Sequence, residues 1–148
     1  MKAKKILFPT DFSSLSDAPL RYATALAKDT GATLLIVHVE EPPLAYGGGE
    51  MYYGVTEPDH EALQKMLDNV KPTDPSVPCE RRFVTGEPAT AIVDLAEEEG
   101  VDLIVMGTHG RRGVSRLLMG SIAEAVVRRA PCPVLTYKSP PAKASVKP

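Results

Sequence analysis

Residues 33–39 read Thr-Leu-Leu-Ile-Val-His-Val, a nearly unbroken aliphatic and β-branched run. A strand with one wetted face alternates apolar and polar side chains. A run without alternation belongs to a strand covered on both faces, as in a parallel sheet between two layers of helix. Upstream, Lys4–Phe8 (KKILF) is a shorter apolar run ended by Pro9-Thr10-Asp11, which predicts a first strand and a turn. Ser13, Ser14, Ser16 and Asp17 then crowd the start of a helical pattern, with Pro19 tolerable in its first turn. Leu15, Ala18, Tyr22, Ala25 and Leu26 recur at helical spacing, and Gly31 supplies the stop.

Downstream of the central run the same alternation repeats. His60–Val70 predicts a short helix, and Cys79–Val84 (CERRFV) a more polar strand suited to a sheet edge. Pro88 opens a helix through Glu99, with Ala89, Ile92, Val93 and Ala96 on one face and Gly100 closing it. Asp102–Met106 predicts a buried strand, Ser121–Ala130 a helix stopped by Pro131, and Pro133–Tyr137 a last strand. Residues 40–59 and 71–78, rich in proline and glycine, break the pattern. The stretch from Gly107 to Gly120 reads as a loop with a helical turn at Ser115–Leu118.

Strands and helices in strict alternation argue for an α/β fold: an open five-stranded parallel sheet with helices on both faces. The right-handed crossover rule leaves few arrangements, and the favoured strand order is 3-2-1-4-5. Residues 1–138 form one domain in this reading, and 139–148, with three prolines and two lysines, a disordered C-terminal tail.

Composition bounds the function. The chain has 148 residues, suited to one domain, with 19 acidic against 17 basic side chains and a net charge of −2. That balance disfavours nucleic acid and anionic membranes as partners. No apolar run approaches the roughly 20 residues of a membrane span, and Ile6-Leu7-Phe8 is too short for a signal-peptide core, so a cytoplasmic protein is expected. Cys79 and Cys132 have neither disulfide-scaffold nor zinc spacing and are expected to be reduced thiols.

In an open parallel sheet, ligands bind beyond the C-terminal strand ends where the winding direction reverses. Here that crevice lies between strands one and four, bordered by Pro9-Thr10-Asp11 and by the loop from Gly107. Gly107, Gly110 and Gly113 permit close backbone approach and positive φ, so that successive N–H groups can converge on a phosphate. Gly120-Ser121 opens a helix whose N-terminal N–H groups and dipole favour an anion. The alternative is a plain glycine-rich turn with Ser121 as N-cap. Asp11 has two readings: a ligand to ribose hydroxyls or Mg²⁺, or a cap of the following helix. Arg111, Arg112 and Arg116 either neutralise phosphate or form a solvated face. His38 reads more readily as a packed strand-end residue than as a base, and His109 more readily as an exposed loop histidine than as a phosphate contact. His60 reads as a helix-start residue, and Asp94 with Glu97–Glu99 as a solvated helix face. A Walker A loop is excluded because no Gly-Lys dipeptide exists. A dinucleotide fingerprint would need glycines after strand one, where Pro9-Thr-Asp-Phe-Ser stands.

The spacing G-x2-G-x9-G-S/T, met as Gly107, Gly110, Gly120 and Ser121, resembles the nucleotide-binding signature of universal stress proteins. The resemblance extends to Ala130-Pro-Cys-Pro-Val134, Ile6–Asp11 and Leu35–Val39, covering residues 2–138. It implies a Rossmann-like fold of the adenine-nucleotide alpha-hydrolase type and ATP as ligand, with or without Mg²⁺. It also implies phosphate contacts by Gly107, Gly110, Gly120, Ser121 and Ile122, with Pro9, Thr10, Asp11, Val39 and Met106 around the adenosine. Ile122 stands where valine is frequent in the family. The leading expectation is a stress-response protein in which ATP occupancy is the signal, with at most slow hydrolysis or autophosphorylation. An ATP-using adenylyl- or phosphoryl-transfer enzyme would want a catalytic base, and none is legible. A third reading is a partner-binding domain with an empty cleft. Val134–Tyr137 is apolar yet lies on a sheet edge in the favoured order. Edge pairing, and the resemblance with it, therefore predict a homodimer through that strand.

Overall fold

In a computed structural model of the protein, which describes residues 3–42, 59–109 and 119–138, nine elements follow one another as expected. They are β1 (Lys5–Pro9), α1 (Asp17–Thr30), β2 (Thr33–Glu40), α2 (His60–Asp68), β3 (Cys79–Thr85), α3 (Pro88–Glu99), β4 (Leu103–Gly107), α4 (Ser121–Arg129) and β5 (Val134–Tyr137), with a 3-10 turn at Ser14–Ser16 before α1. The strands form one sheet in the order β3-β2-β1-β4-β5, and every pair is parallel. The expected turn at Ser115–Leu118, Gly110, Gly113, the three arginines 111, 112 and 116, and the tail from Ser139 lie outside the described residues.

Side chains alternate across the pleat, so each central strand feeds two cores. Ile6, Phe8, Leu34, Ile36 and Val105 pack with Ala23 and Ala27 of α1 and Leu67 of α2. Leu7, Leu35, Val37, Ile104 and Met106 pack with Ile92 and Leu95 of α3 and Ala123 and Val126 of α4. Complete burial of Leu34 through Val37 is the reason the central run shows no alternation. β3 is an edge strand and mostly half-buried. Its arginines go to opposite faces. Arg81 donates to the Leu67 and Val70 carbonyls at 3.1 Å and caps the C-terminal end of α2. Arg82 reaches Glu99 Oε2 at 3.1 Å. Glu99 also takes Lys5 Nζ at 2.9 Å, so it belongs to an ion-pair network and not to the solvated face expected for 97–99. Both cysteines are free.

Helix ends follow local chemistry. Gly31 and Gly100 close α1 and α3 in the left-handed conformation, at φ +75° and +61°. At the start of α3 the Glu87 carboxylate accepts from Thr90 N at 2.9 Å and Ala89 N at 3.2 Å, ahead of Pro88 in the first turn. The Thr90 hydroxyl adds a 2.6 Å bond, and these contacts, the hydroxyl first, hold the carboxyl below its ordinary range. A depressed folded-state value contributes stability above the unfolded pKa and loses it as pH falls through the folded one. Glu87→Ala is therefore expected to cost about 1 kcal/mol in urea unfolding at pH 7. The difference from wild type should shrink as the buffer is taken below about pH 4, the ordinary carboxylate range.

Candidate functional site

The order β1-β4 at the centre creates the reversal point that sequence pattern placed there, where general topology puts a ligand beyond the C-terminal ends of both strands. On the β1 side, Thr10 is buried and its N–H donates to the Val37 carbonyl at 2.8 Å, the last rung between β1 and β2. The chain then turns sharply. Thr10 Oγ1 accepts from Phe12 N at 3.0 Å, and Asp11 Oδ1 accepts from Ser13 N at 2.9 Å, Ser13 Oγ at 2.7 Å and Ser16 Oγ at 3.2 Å. Asp11 thus caps the turn and not the helix: the N-cap of α1 is Ser16, with no side-chain cap bond, so the helix-cap reading of Asp11 is overturned. These side-chain bonds stabilise Phe12 at φ +68°, a left-handed conformation that costs a bulky residue about 1–3 kcal/mol.

β2 runs three residues past this last rung. In a parallel ladder both peptide groups of a residue face the same neighbour, and successive residues alternate. Leu34 N donates to Pro78 O and Gly86 N to Glu40 O, so even-numbered residues of β2 face β3. Val37 and Val39 face the other way. Beside Val39 β1 has ended, and no described residue takes up its N–H or C=O. An amide with a free donor and a free acceptor in one plane matches the donor–acceptor edge of adenine.

On the β4 side, Met106 is buried and Gly107 half-buried. Thr108 N donates to Tyr137 O at 3.1 Å, and Gly120 N donates to Thr108 O at 2.7 Å, which ties the start of α4 to the end of β4. Gly120, not Ser121, is the N-cap of α4, and no side chain caps that end. The plain-N-cap reading of Ser121 is therefore overturned. Glu124 N makes the first helical bond, to Gly120 O, so the N–H groups of Ser121, Ile122 and Ala123 have no acceptor among the described residues. By contrast, α2 and α3 carry carboxylate caps at Asp59 and Glu87. Ser121 and Ile122 are exposed. Of the three glycines expected to permit positive φ, Gly107 does not adopt it, and Gly110 and Gly113 lie outside the described residues. What Gly120 provides is room, since a Cβ there would stand 3.0 Å from the Thr108 carbonyl oxygen.

The other sequence candidates separate cleanly. His109 is half-buried, not exposed, with Nδ1 3.1 Å from Thr108 Oγ1. His60 begins α2 and meets Phe83 edge-on at 5.8 Å. His38 is 1% exposed, as a packed strand-end residue should be, but it also contacts Thr10, a relation the sequence did not reveal. A cleft of about 450 Å³ on the α1–α2 side of the sheet is lined by Asp11, Phe12, Glu40, Asp59, Leu63 and Met66. Its carboxylates suit no phosphate, whereas the bare N–H groups of α4 do. No group of three His, Cys, Asp or Glu side chains among the described residues is arranged to hold a metal ion.

Fold and crevice together define an open parallel α/β domain with an uncapped helix N-terminus at its reversal point. Residues 2–138 match the model of the universal stress protein family. The chain is 37% identical over 143 residues to Universal stress protein MJ0531 of Methanocaldococcus jannaschii, covering 93% of this chain and 83% of that protein. It is 36% identical over 144 residues to Universal stress protein A homolog 1 of Coxiella burnetii, covering 91% of this chain and 96% of that protein. Among solved structures, protein MJ0577 of Methanocaldococcus jannaschii superposes with a TM-score of 0.76 at 32% identity, over 96% of this chain and all of that one. A universal stress protein in complex with cAMP superposes with a TM-score of 0.64 at 26% identity, over 94% of this chain and 100% of that one. The chain belongs to the universal stress protein family.

Proposed function

We propose that the protein binds ATP in the crevice between β1 and β4, and that occupancy, rather than turnover, is its output in a cytoplasmic stress response. The observation that carries this reading is the start of α4, where a glycine cap leaves three consecutive N–H groups and the positive end of the helix dipole without an acceptor among the described residues. Gly107, Gly110, Gly120, Ser121 and Ile122 are assigned to the phosphates. Pro9, Thr10, Asp11, Val39 and Met106 are assigned to the adenosine, where the open peptide groups of Val39 meet the base. The cAMP complex of a relative supports adenine nucleotides as the ligand class. Titration calorimetry with ATP, NAD and FMN tests the assignment. ATP is expected to bind more tightly than the other two, and equal or preferred binding of NAD or FMN contradicts it.

Turnover is expected to be slow. The sequence holds no legible Ser/His/Asp or paired-carboxylate arrangement, and Asp11 Oδ1 accepts from Ser13 and Ser16. ATP hydrolysis followed by phosphate release should stay far below the roughly 10 per second median of enzymes. A rate near that median, abolished by a single substitution, would expose a catalytic group absent from this account.

The functional unit in this reading is a homodimer joined along β5. Among the described residues β5 pairs only with β4, and its other edge presents backbone N–H and C=O groups beside Val134–Tyr137.

A further inference from the structure

His38 is a fully buried polar side chain in a strand whose residues Leu34–Val37 and Val39 are aliphatic. Its ring stacks on Phe12 at 4.2 Å, meets Phe83 edge-on at 5.6 Å, and has Nε2 3.0 Å from Glu40 Oε1. Nδ1 lies 2.9 Å from the Thr10 carbonyl oxygen. A carbonyl only accepts, so Nδ1 is the donor in this contact. The Thr10 carbonyl is the group that a continuing β1–β2 ladder would offer to the Val39 N–H, because Thr10 N already donates to Val37 O. That next rung is missing, and the imidazole of His38 occupies the acceptor in its place.

We propose that His38 is a positioning residue which, by claiming the Thr10 carbonyl, keeps the β1–β2 ladder from closing over Val39 and so leaves the Val39 N–H to a nucleobase. The last clause rests on the nucleotide reading above, while the blocked rung does not. Glu40 and the two phenylalanine rings hold the imidazole against rotation, so the donor stays aimed at Thr10. The Phe12 backbone, left-handed at φ +68°, is what brings its ring onto His38. The strained turn and the histidine thus act as one clamp on the end of β1.

The test compares wild type with His38→Leu and His38→Asn, whose side-chain amide nitrogen stands near the place of Nδ1. In nucleotide-free wild type, the Nδ1 proton of His38 should be visible by ¹⁵N NMR, with no through-hydrogen-bond coupling between Val39 N and the Thr10 carbonyl. In His38→Leu that coupling should appear and Val39 amide exchange should slow. Adenosine binding should weaken about tenfold or more, as expected when a donor is withdrawn from a desolvated partner. Tripolyphosphate binding should change by less than about twofold, within the normal scatter of such effects. His38→Asn should restore adenosine binding and remove the coupling, which also separates the effect from a folding defect. A Val39–Thr10 coupling in wild type, or none in a folded His38→Leu, overturns the proposal. A wild-type protein with the rung open but no affinity for adenosine leaves the clamp intact and overturns the nucleotide reading instead.

Discussion

Gly120→Val is expected to weaken ATP binding by about a hundredfold or more while leaving the fold in place. Gly120 is squeezed between the end of β4 and the start of α4, the proposed phosphate end of the site. Its N–H donates to Thr108 O at 2.7 Å, and a Cβ would stand 3.0 Å from that same oxygen and 3.7 Å from the His109 Cα. Both neighbours are backbone atoms with no rotamer to escape into, so a branched side chain must push α4 away from the end of β4. The N–H groups of Ser121 and Ile122 then miss the phosphates. Each hydrogen bond to a charged group is worth about 1.5–3 kcal/mol, and losing two accounts for the expected factor. Gly120→Ala asks for a shift of only a few tenths of an ångström and should lie between the two. Calorimetry reads the affinities, and a melting curve checks that the sheet is intact. Unchanged affinity in the valine variant would remove α4 from the site.

Thr136→Pro is expected to convert a dimer into a monomer. Ile104 N donates to Pro133 O and Thr108 N to Tyr137 O, so odd-numbered residues of β5 face β4. By the parity of a parallel ladder, the N–H groups of Val134 and Thr136 face outward, where a two-fold-related copy of β5 would pair. A proline at Thr136 removes one of these donors without touching the β4–β5 ladder. The same change at Leu135, which the apolar pattern alone makes attractive, would cut the ladder itself and test stability instead. Light scattering at tens of micromolar should give twice the chain mass for wild type and the single mass for Thr136→Pro. A monomeric wild type, or a dimeric variant, rules out pairing through this edge.

The fold was legible because its signals are local and redundant. The unalternating run at 33–39, glycines at 31 and 100, and Pro88 at a helix start each have one cheap physical reading, and connection rules then fix the strand order. Element ends moved by one or two residues where pairing decided them, as at Pro9 and Glu40, each one residue past the apolar run. The candidate site was legible only in part. The glycine at 120 announced a close approach, but spacing could not say whether Gly120 or Ser121 caps α4, since either residue type suits that position. Asp11 and Ser13 are an ordinary turn pair in sequence, and nothing in Pro-Thr-Asp-Phe-Ser signals that Phe12 adopts positive φ. The task of His38 was hidden for a different reason. Its partner is a backbone carbonyl 28 residues away, and a ladder that stops one rung early leaves no trace in side-chain pattern.

In the proposed function one nucleotide bridges the Val39 amide and the N–H groups at the start of α4. Titrating ¹⁵N-labelled protein with ATP and following backbone amide shifts tests it most directly. Saturable shifts are expected, largest at Val39, Ser121, Ile122 and Ala123, with Leu63 and Met66 of α2 nearly unmoved. Shifts centred on Leu63 and Met66, or none at millimolar ATP, would contradict it.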